Sequence, residues 1–491
     1  MNSPLQASAV PRQWTLDSTD APPPDSVRHG ETGFARAWLG LAVGSLLFAG
    51  VLALLLVVAR TPPFVYWVRD PLFFKRCLVV HVDLALVVWF YAFLAALHQR
   101  IPAHAPRRVP AAAGFALSLA GIGALVAAVG IEGVEPVLSN YVPVLDHPLF
   151  LCGLAAFGAG VALSFFDGRL LPWREAEGTD LDLPPAARPG LRAAAIAFLL
   201  ALATFVGGAL GTPSGLPALP RYELAMWGGG HVLQFASSAA MVGAWLHLVE
   251  RASGVAPVGR RLSAVLFALL VAPLLGAPLL TLAGSDATVA RDGFTQLMRW
   301  GIFPVVSVFL LLCLRALWRG GGARTAAGVG FLTSAGLCVL GYSLGALIRE
   351  PNTMVPAHYH ASIGAVTASF MAVAYLHLEP LGLRLPAGRL GRWAHWQPAL
   401  FGVGQTVFAV GFGAAGLAGA ARKAYGPEQS IRSLQEWIGL TVMGAGGLVA
   451  AAGGILFLTI MAAAFWPRLR GALPGRSACR TKLSANTLFS G

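Results

Sequence analysis

The residues of this chain that could do chemistry are few, and most lie inside long apolar runs. Four histidines (His81, His231, His358 and His360) and Asp83 fall there. An ionisable side chain in such a run is costly and marks a candidate functional site. The spacing of His358-Tyr359-His360 carries the most information. Residues two apart on a helix point about 200° away from each other. One helix therefore presents its two imidazoles on opposite flanks, to two different partners. A single tetrahedral metal site would prefer ligands four apart on one face, as in HExxH. Two flat macrocycles, one on either side, suit the observed spacing, and imidazole is a standard axial ligand of haem iron. Asp83 projects away from His81 for the same reason. It reads equally as part of a proton path or as a buried carboxylate bonded to a neighbouring helix.

The elements that must position these residues follow from composition. Of 491 residues, 56% are hydrophobic and 12% charged, against about 25% charged in a soluble domain. That excludes a water-soluble enzyme, a disordered protein and a DNA-binding domain. Apolar runs long enough to span a bilayer occur at 36–59, 78–97, 110–131, 148–166, 193–211, 223–248, 262–283, 296–318, 325–348, 356–378, 397–420 and 437–465. The expected fold class is an all-α polytopic membrane protein of twelve helices. The candidate residues lie on the second, sixth and tenth spans, which all cross in the same direction. Each histidine falls near the start of its span, so all four imidazoles are expected in one slab near one membrane face.

Charge decides which face. Of the 35 Lys and Arg, 24 fall on the side of the termini, 10 on the other, and Arg299 within a span. Positive residues accumulate on the cytoplasmic side, so both termini are expected in the cytoplasm and the histidine slab near the outer surface of a cytoplasmic (inner) membrane. The net charge of +13 is then a product of topology and needs no nucleic-acid partner. Residues 1–34 and 467–491 read as cytoplasmic tails flanking a transmembrane domain at 35–466. The five cysteines (Cys77, Cys152, Cys313, Cys338, Cys479) form no CxxC or CxxCH motif, so any haem covalently attached to cysteine belongs to a partner. His98, His247 and His377 stand at inner span ends and read as interfacial. His147, near an outer mouth, reads as a loop cap or as a pocket wall.

The motif Val355-Pro356-Ala357-His358-Tyr359-His360, with His81 in His81-Val82-Asp83-Leu84-Ala85-Leu86 and His231 in Trp227-Gly228-Gly229-Gly230-His231, resembles subunit I of the haem-copper oxidase superfamily, which includes nitric oxide reductases. The resemblance covers roughly residues 36–465, with the family's twelve-helix bundle. It implies two haems, one low-spin on His81 and His360 and one high-spin on His358. It implies that His231 holds the active-site metal, and that Arg422 and Lys423 bind haem propionates, which need cations. It also implies a respiratory-chain oxidoreductase with a cytochrome c or cupredoxin-type electron donor on the outer side and a small gas, O2 or NO, as substrate.

The departures from the family pattern are specific. Its seventh helix carries a His-His pair, where this chain reads Leu279-Leu280-Thr281, and no histidine occurs between His247 and His358. The oxidase tyrosine four residues after the sixth-helix histidine is Phe235. A single imidazole is a poor copper site, so His231 is read either as a ligand of a second metal or as a hydrogen-bonding wall of a gas pocket. The alternative to a catalytic subunit is a dihaem electron-relay or gas-binding protein that has lost its copper. A secondary transporter also fits the helix count but leaves the shared depth of the histidines unexplained.

Overall fold

The computed structural model describes residues 31–58, 72–176, 183–422 and 431–472. Twelve helices in it are long and apolar enough to cross a membrane. They are α1 (Glu31–Val58), α2 (Phe73–His98), α3 (Arg108–Ala128), α4 (Pro148–Phe165), α5 (Arg188–Leu210), α6 (Ala218–Ser253), α7 (Arg260–Ala283), α8 (Thr288–Gly320), α9 (Ala326–Ala346), α10 (Met354–His377), α11 (Gln397–Leu417) and α12 (Leu434–Ala472). Each matches one predicted span. Only a helix satisfies its own backbone within lipid, so every long apolar run takes this form. The multi-pass membrane fold expected from composition is the fold observed. The proposed tails lie almost wholly outside the described residues.

Several helices outrun their apolar stretch. The run at 223–248 becomes a helix through Ser253, closed by Gly254 at φ 69°, the left-handed position that glycine takes without penalty. Two helices depart from α geometry. α2 contains a π-helical turn at Leu84–Val88. α7 passes through 3₁₀ turns at Ala272–Gly276 and Thr281–Ala283, since Pro273 and Pro278 supply no backbone N–H.

α2, α6 and α10 form the interior of the bundle, and α1, α3, α7, α8 and α12 leave much of their surface facing outward. The interior helices are therefore the three that carry the candidate histidines. Small residues set the closest approaches: a Cβ on Gly121 would lie 2.6 Å from the Gly153 carbonyl oxygen and from Phe157 N, so α3 and α4 pack backbone to backbone. Between them a hairpin, β1 (Pro136–Val137) and β2 (Val144–Leu145), pairs antiparallel with Pro136 opposite Leu145. Its tip carries Asn140 and Tyr141.

At the opposite end an arginine-rich belt ties the loops. Arg188 and Arg192 reach Glu175 at 2.8 and 2.7 Å, and Arg260 joins them at 3.0 Å. Arg169 pairs with Asp167 and donates to the Ile101 carbonyl at 2.9 Å. Burial by itself would raise the Glu175 carboxyl, but the Arg188 and Arg192 guanidiniums outweigh it and hold it below the ordinary carboxylate value.

Candidate functional site

His81 on α2 places Nδ1 2.8 Å from the Ala49 carbonyl oxygen on α1. A carbonyl only accepts, so Nδ1 carries the proton and Nε2 keeps its lone pair. His358 on α10 is arranged the same way, with Nδ1 2.7 Å from the Gly341 carbonyl oxygen on α9. One turn further along α9, a Cβ on Gly345 would lie 2.8 Å from His358 Nδ1, so the ring needs glycine there. His360 takes different neighbours. Its ring packs on Phe408 of α11 at 4.5 Å between centroids and lies 6.4 Å from Phe412. It is close enough to His81 for the two rings to interact electrostatically. The two imidazoles of α10 thus face different helices, His358 toward α9 and His360 toward α2 and α11.

This donor set fits haem iron. Two of the three imidazoles offer a lone-pair Nε2, with the tautomer fixed by a backbone carbonyl on the far nitrogen, the usual arrangement of a metal-binding histidine. All three rings are only half buried, although they stand on the most interior helices.

His231 on α6 is held otherwise. Nδ1 lies 2.7 Å from the Trp227 carbonyl oxygen and Nε2 2.9 Å from Tyr141 Oη. With Nδ1–H given to the carbonyl, Nε2 accepts from the Tyr141 hydroxyl. The ring is 1% exposed and lies 4.7 Å from both the Tyr141 and Trp227 rings and 6.2 Å from Phe294. Burial pushes the Tyr141 hydroxyl up, against a smaller lowering by Arg422, so the phenol stays protonated and donates. The three glycines before His231 explain how the aromatics come so close. A Cβ on Gly228, Gly229 or Gly230 would overlap Phe294, Phe205 or Tyr141 respectively. Tyr141 has φ 69°, a strained value for a non-glycine residue that persists only where surrounding contacts enforce it. Ser139 Oγ donating to the Val142 carbonyl at 2.6 Å closes the hairpin tip around it.

The site does not fit a second metal. Both nitrogens of His231 are engaged, and no group of three metal-ligating side chains occurs among the described residues. Where the family's His-His pair would stand, Thr281 turns its hydroxyl back to the Pro278 carbonyl at 2.6 Å. A cavity of about 10 Å³ beside it, bounded by Trp227, Thr281, Ser285 and Phe294, has room for about one water.

The remaining candidates are placed as follows. Arg422 donates to Asn140 Oδ1, which joins the loop after α11 to the hairpin that carries Tyr141; Lys423 lies outside the described residues. Asp83 is fully buried, and neither oxygen has a hydrogen-bond partner among the described residues. It is therefore not bonded to a neighbouring helix there, and the π-turn begins at the next residue. His147 is the cap of α4, accepting from Leu149 N at 3.2 Å. His98 and His377 end their helices as the span reading has them, and all three, His247 included, are buried there, 0%, 8% and 3% exposed. The helices carrying them pack against one another at that end, and α6 continues past His247. The role of Tyr141 was not visible in the sequence; the only signal was the glycine run beside His231.

Residues 34–450 match the family described as Cytochrome C and Quinol oxidase polypeptide I. The chain belongs to this family. Two relatives named only as uncharacterized proteins match most of its length. One, from Aquifex aeolicus (strain VF5), is 27% identical over 375 residues, covering 74% of this chain and 89% of that one. The other, RP382 of Rickettsia prowazekii (strain Madrid E), is 24% identical over 503 residues, covering 87% and 94%. Among solved structures, a heme-copper terminal oxidase dimer seen by cryo-EM superposes with a TM-score of 0.62 at 15% identity, over 91% of this chain and 84% of that one. That likeness concerns the fold. The chain is a subunit I-like, multi-pass membrane protein of an oxidase family, a family that implies haem cofactors and works with small gases.

Proposed function

We propose that this chain is a dihaem membrane oxidoreductase without a second active-site metal. His81 and His360 would hold a low-spin haem and His358 a high-spin haem, which would supply an iron able to take O2 or NO. Bound there, the haems supply electron transfer and a gas-binding iron. The protein's own residues do the rest. The Ala49 and Gly341 carbonyls fix the tautomers of His81 and His358, so each ring keeps its basic nitrogen for iron. Phe408 and Phe412 wall His360 with apolar surface, which limits water and so tunes potential. His231 serves as a hydrogen-bonding wall, its Nε2 taking the Tyr141 proton's hydrogen bond. Arg422 stands on the outer loop within reach of an anionic group, and Lys423 beside it in sequence is its proposed partner for the propionates. Electrons would enter from a cytochrome c or cupredoxin-type donor at the histidine end, taken as the outer face of a cytoplasmic membrane with both termini inside.

The observation that carries this reading is the division of α10. Two imidazoles, two residues apart, face different helices, and one of them is within electrostatic range of His81. The test is an optical spectrum of the purified, dithionite-reduced protein with and without carbon monoxide. Two haems per chain, with about half of the absorbance responding to CO, is the expected result, since one iron has two imidazoles and the other one. A single haem per chain defeats the dihaem assignment. Two haems that both ignore CO would favour the second reading, an electron-relay or sensing protein, which the engagement of both His231 nitrogens already supports.

A further inference from the structure

Arg299 falls within a span of the sequence, and the fold turns it away from the bundle. Its helix, α8, is the least buried of the twelve. Gln296, Arg299 and Trp300 are all exposed on it and share one face, as residues three and four apart on a helix do. Gln296 Oε1 accepts from Trp300 Nε1 at 3.0 Å, which leaves the Gln296 amide N–H2 as a second donor on that face. Arg299 itself has no hydrogen-bond or ion-pair partner among the described residues. Pro304, one turn on and also exposed, has no N–H to give the Trp300 carbonyl. Three polar groups thus collect at one level of an exposed face.

That level is otherwise apolar. A Cβ on Gly293 of α8 would lie 3.4 Å from the Leu280 side chain of α7, and the Phe309 and Phe267 rings meet at 4.6 Å between centroids. This register sets Leu279 and Leu282, 66% and 80% exposed, beside the first turns of α8, nearer the histidine end than Arg299. Phe303, Val308 and Leu311 are exposed on its other side. The nearest charges toward the histidine end of α8 are Arg291 and Asp292, both exposed. Asp292 stands seven residues before Arg299, roughly 10 Å along the axis, which is more than an arginine side chain spans. An ionised group at such a depth is costly, and where one occurs it faces the interior or is paired. Arg299 is turned from the interior, so its partner must come from outside the chain.

We propose that this face of α8 docks a membrane-spanning helix of a partner subunit, one that carries a carboxylate at the depth of Arg299. The Arg299 guanidinium and the Gln296 amide both donate to that carboxylate, a charge-assisted contact, while Trp300, Phe303 and Leu311 supply the apolar contact along the rest of the face. The donor set selects the partner: two side chains offer N–H, and the only charge is positive. A second copy of this chain is a poor occupant. A twofold axis along the membrane normal pairs equal depths and would set Arg299 against Arg299. A lipid phosphate lies at the rim, beyond the side chain. None of this depends on the haem assignment.

The test places the full chain in phosphatidylcholine vesicles with a dye-labelled synthetic helix of leucine and alanine. The helix is long enough to span and carries one glutamate at the depth of Arg299, or leucine there as the control. Energy transfer between peptide and protein reads their association. The glutamate peptide should bind about tenfold more tightly than the leucine peptide, a difference within reach of polar contacts between membrane helices. Arg299→Leu, at an exposed position, should abolish the difference. Equal binding of the two peptides, or a preference that survives Arg299→Leu, overturns the proposal. Loss of the preference when phosphatidylglycerol is added would assign Arg299 to a lipid phosphate, and chain-to-chain transfer that Arg299→Leu removes would assign the face to a second copy; either overturns it too. The haem spectrum of the same samples checks folding and reports the dihaem reading separately, so failure of one leaves the other standing.

Discussion

The contact that most changes the chemistry available to this chain is Tyr141 to His231, 2.9 Å from Oη to Nε2. A histidine whose Nδ1 already serves the Trp227 carbonyl has one basic nitrogen left, and a metal there would have to displace the phenol. Tyr141→Phe strands that buried lone pair, at a cost of roughly 1–3 kcal/mol. The expected outcome is a measurable loss of thermal stability together with a shifted CO stretching band in the infrared, both haems being retained. An unmoved CO band would separate His231 from the gas pocket. His231→Ala, in parallel, should abolish turnover with O2 or NO if the pocket is catalytic; undiminished turnover would leave His231 a structural wall. The sequence made His231 conspicuous because a histidine inside an apolar run is expensive. Tyr141 was not conspicuous, because its partner lies 90 residues away in the chain and the hairpin that delivers it has no signature beyond a glycine run on the receiving helix. His358 and His360 were legible for the opposite reason. Their relationship is local, and helical geometry alone turns two residues i and i+2 to different neighbours.

At the scale of elements, lipid does most of the specifying. Apolar runs must become helices, so all twelve were readable, with ends displaced by up to eight residues (296 expected against Thr288 for α8), since a run ends where apolarity ends and a helix ends where its packing does. His247 lies near the end of the run at 223–248 yet well short of Ser253, where α6 stops, so the sequence shows its place near the span end but not the packing that buries it. The breaks in α7 also have a local cause, in Pro273 and Pro278. Loop clamps, by contrast, depend on pairings the sequence does not announce. Glu175, 6% exposed, meets Arg188, Arg192 and Arg260, joining the loop after α4 to the starts of α5 and α7. Removing one member of a buried ion cluster leaves its partners uncompensated, and partial solvent access at Arg260 reduces the penalty. Glu175→Gln should cost roughly 2 kcal/mol at neutral pH. The folded-state value of Glu175 is depressed below its ordinary 4.5. Its contribution is therefore complete above that ordinary value and fades as pH falls through the depressed one. Wild type and Glu175→Gln should accordingly differ in melting temperature at pH 7 and converge in strong acid. An equal gap at both pH values would show that the carboxylate charge is not what holds the clamp.

At the scale of the whole molecule, the two ends of the bundle have different chemistry. One holds the imidazoles proposed for iron, the hairpin with Tyr141, and Arg422. The other holds the arginine belt and the buried His98, His247 and His377. Which end faces the cytoplasm decides where electrons enter. The expectation that the arginine belt faces inside rests on the positive-inside bias, 24 against 10. Part of that bias is spent on buried pairs such as Arg169–Asp167. Arg107 and Arg108 at the start of α3, both exposed, are still available to act on membrane insertion. Fusions at the C-terminus test the orientation. A fluorescent reporter that folds only in the cytoplasm should light up, and an alkaline phosphatase that works only outside should stay inactive. The reverse pattern would turn the molecule over. It would place the His81–His360 side toward the cytoplasm and exclude a soluble donor on the outer face.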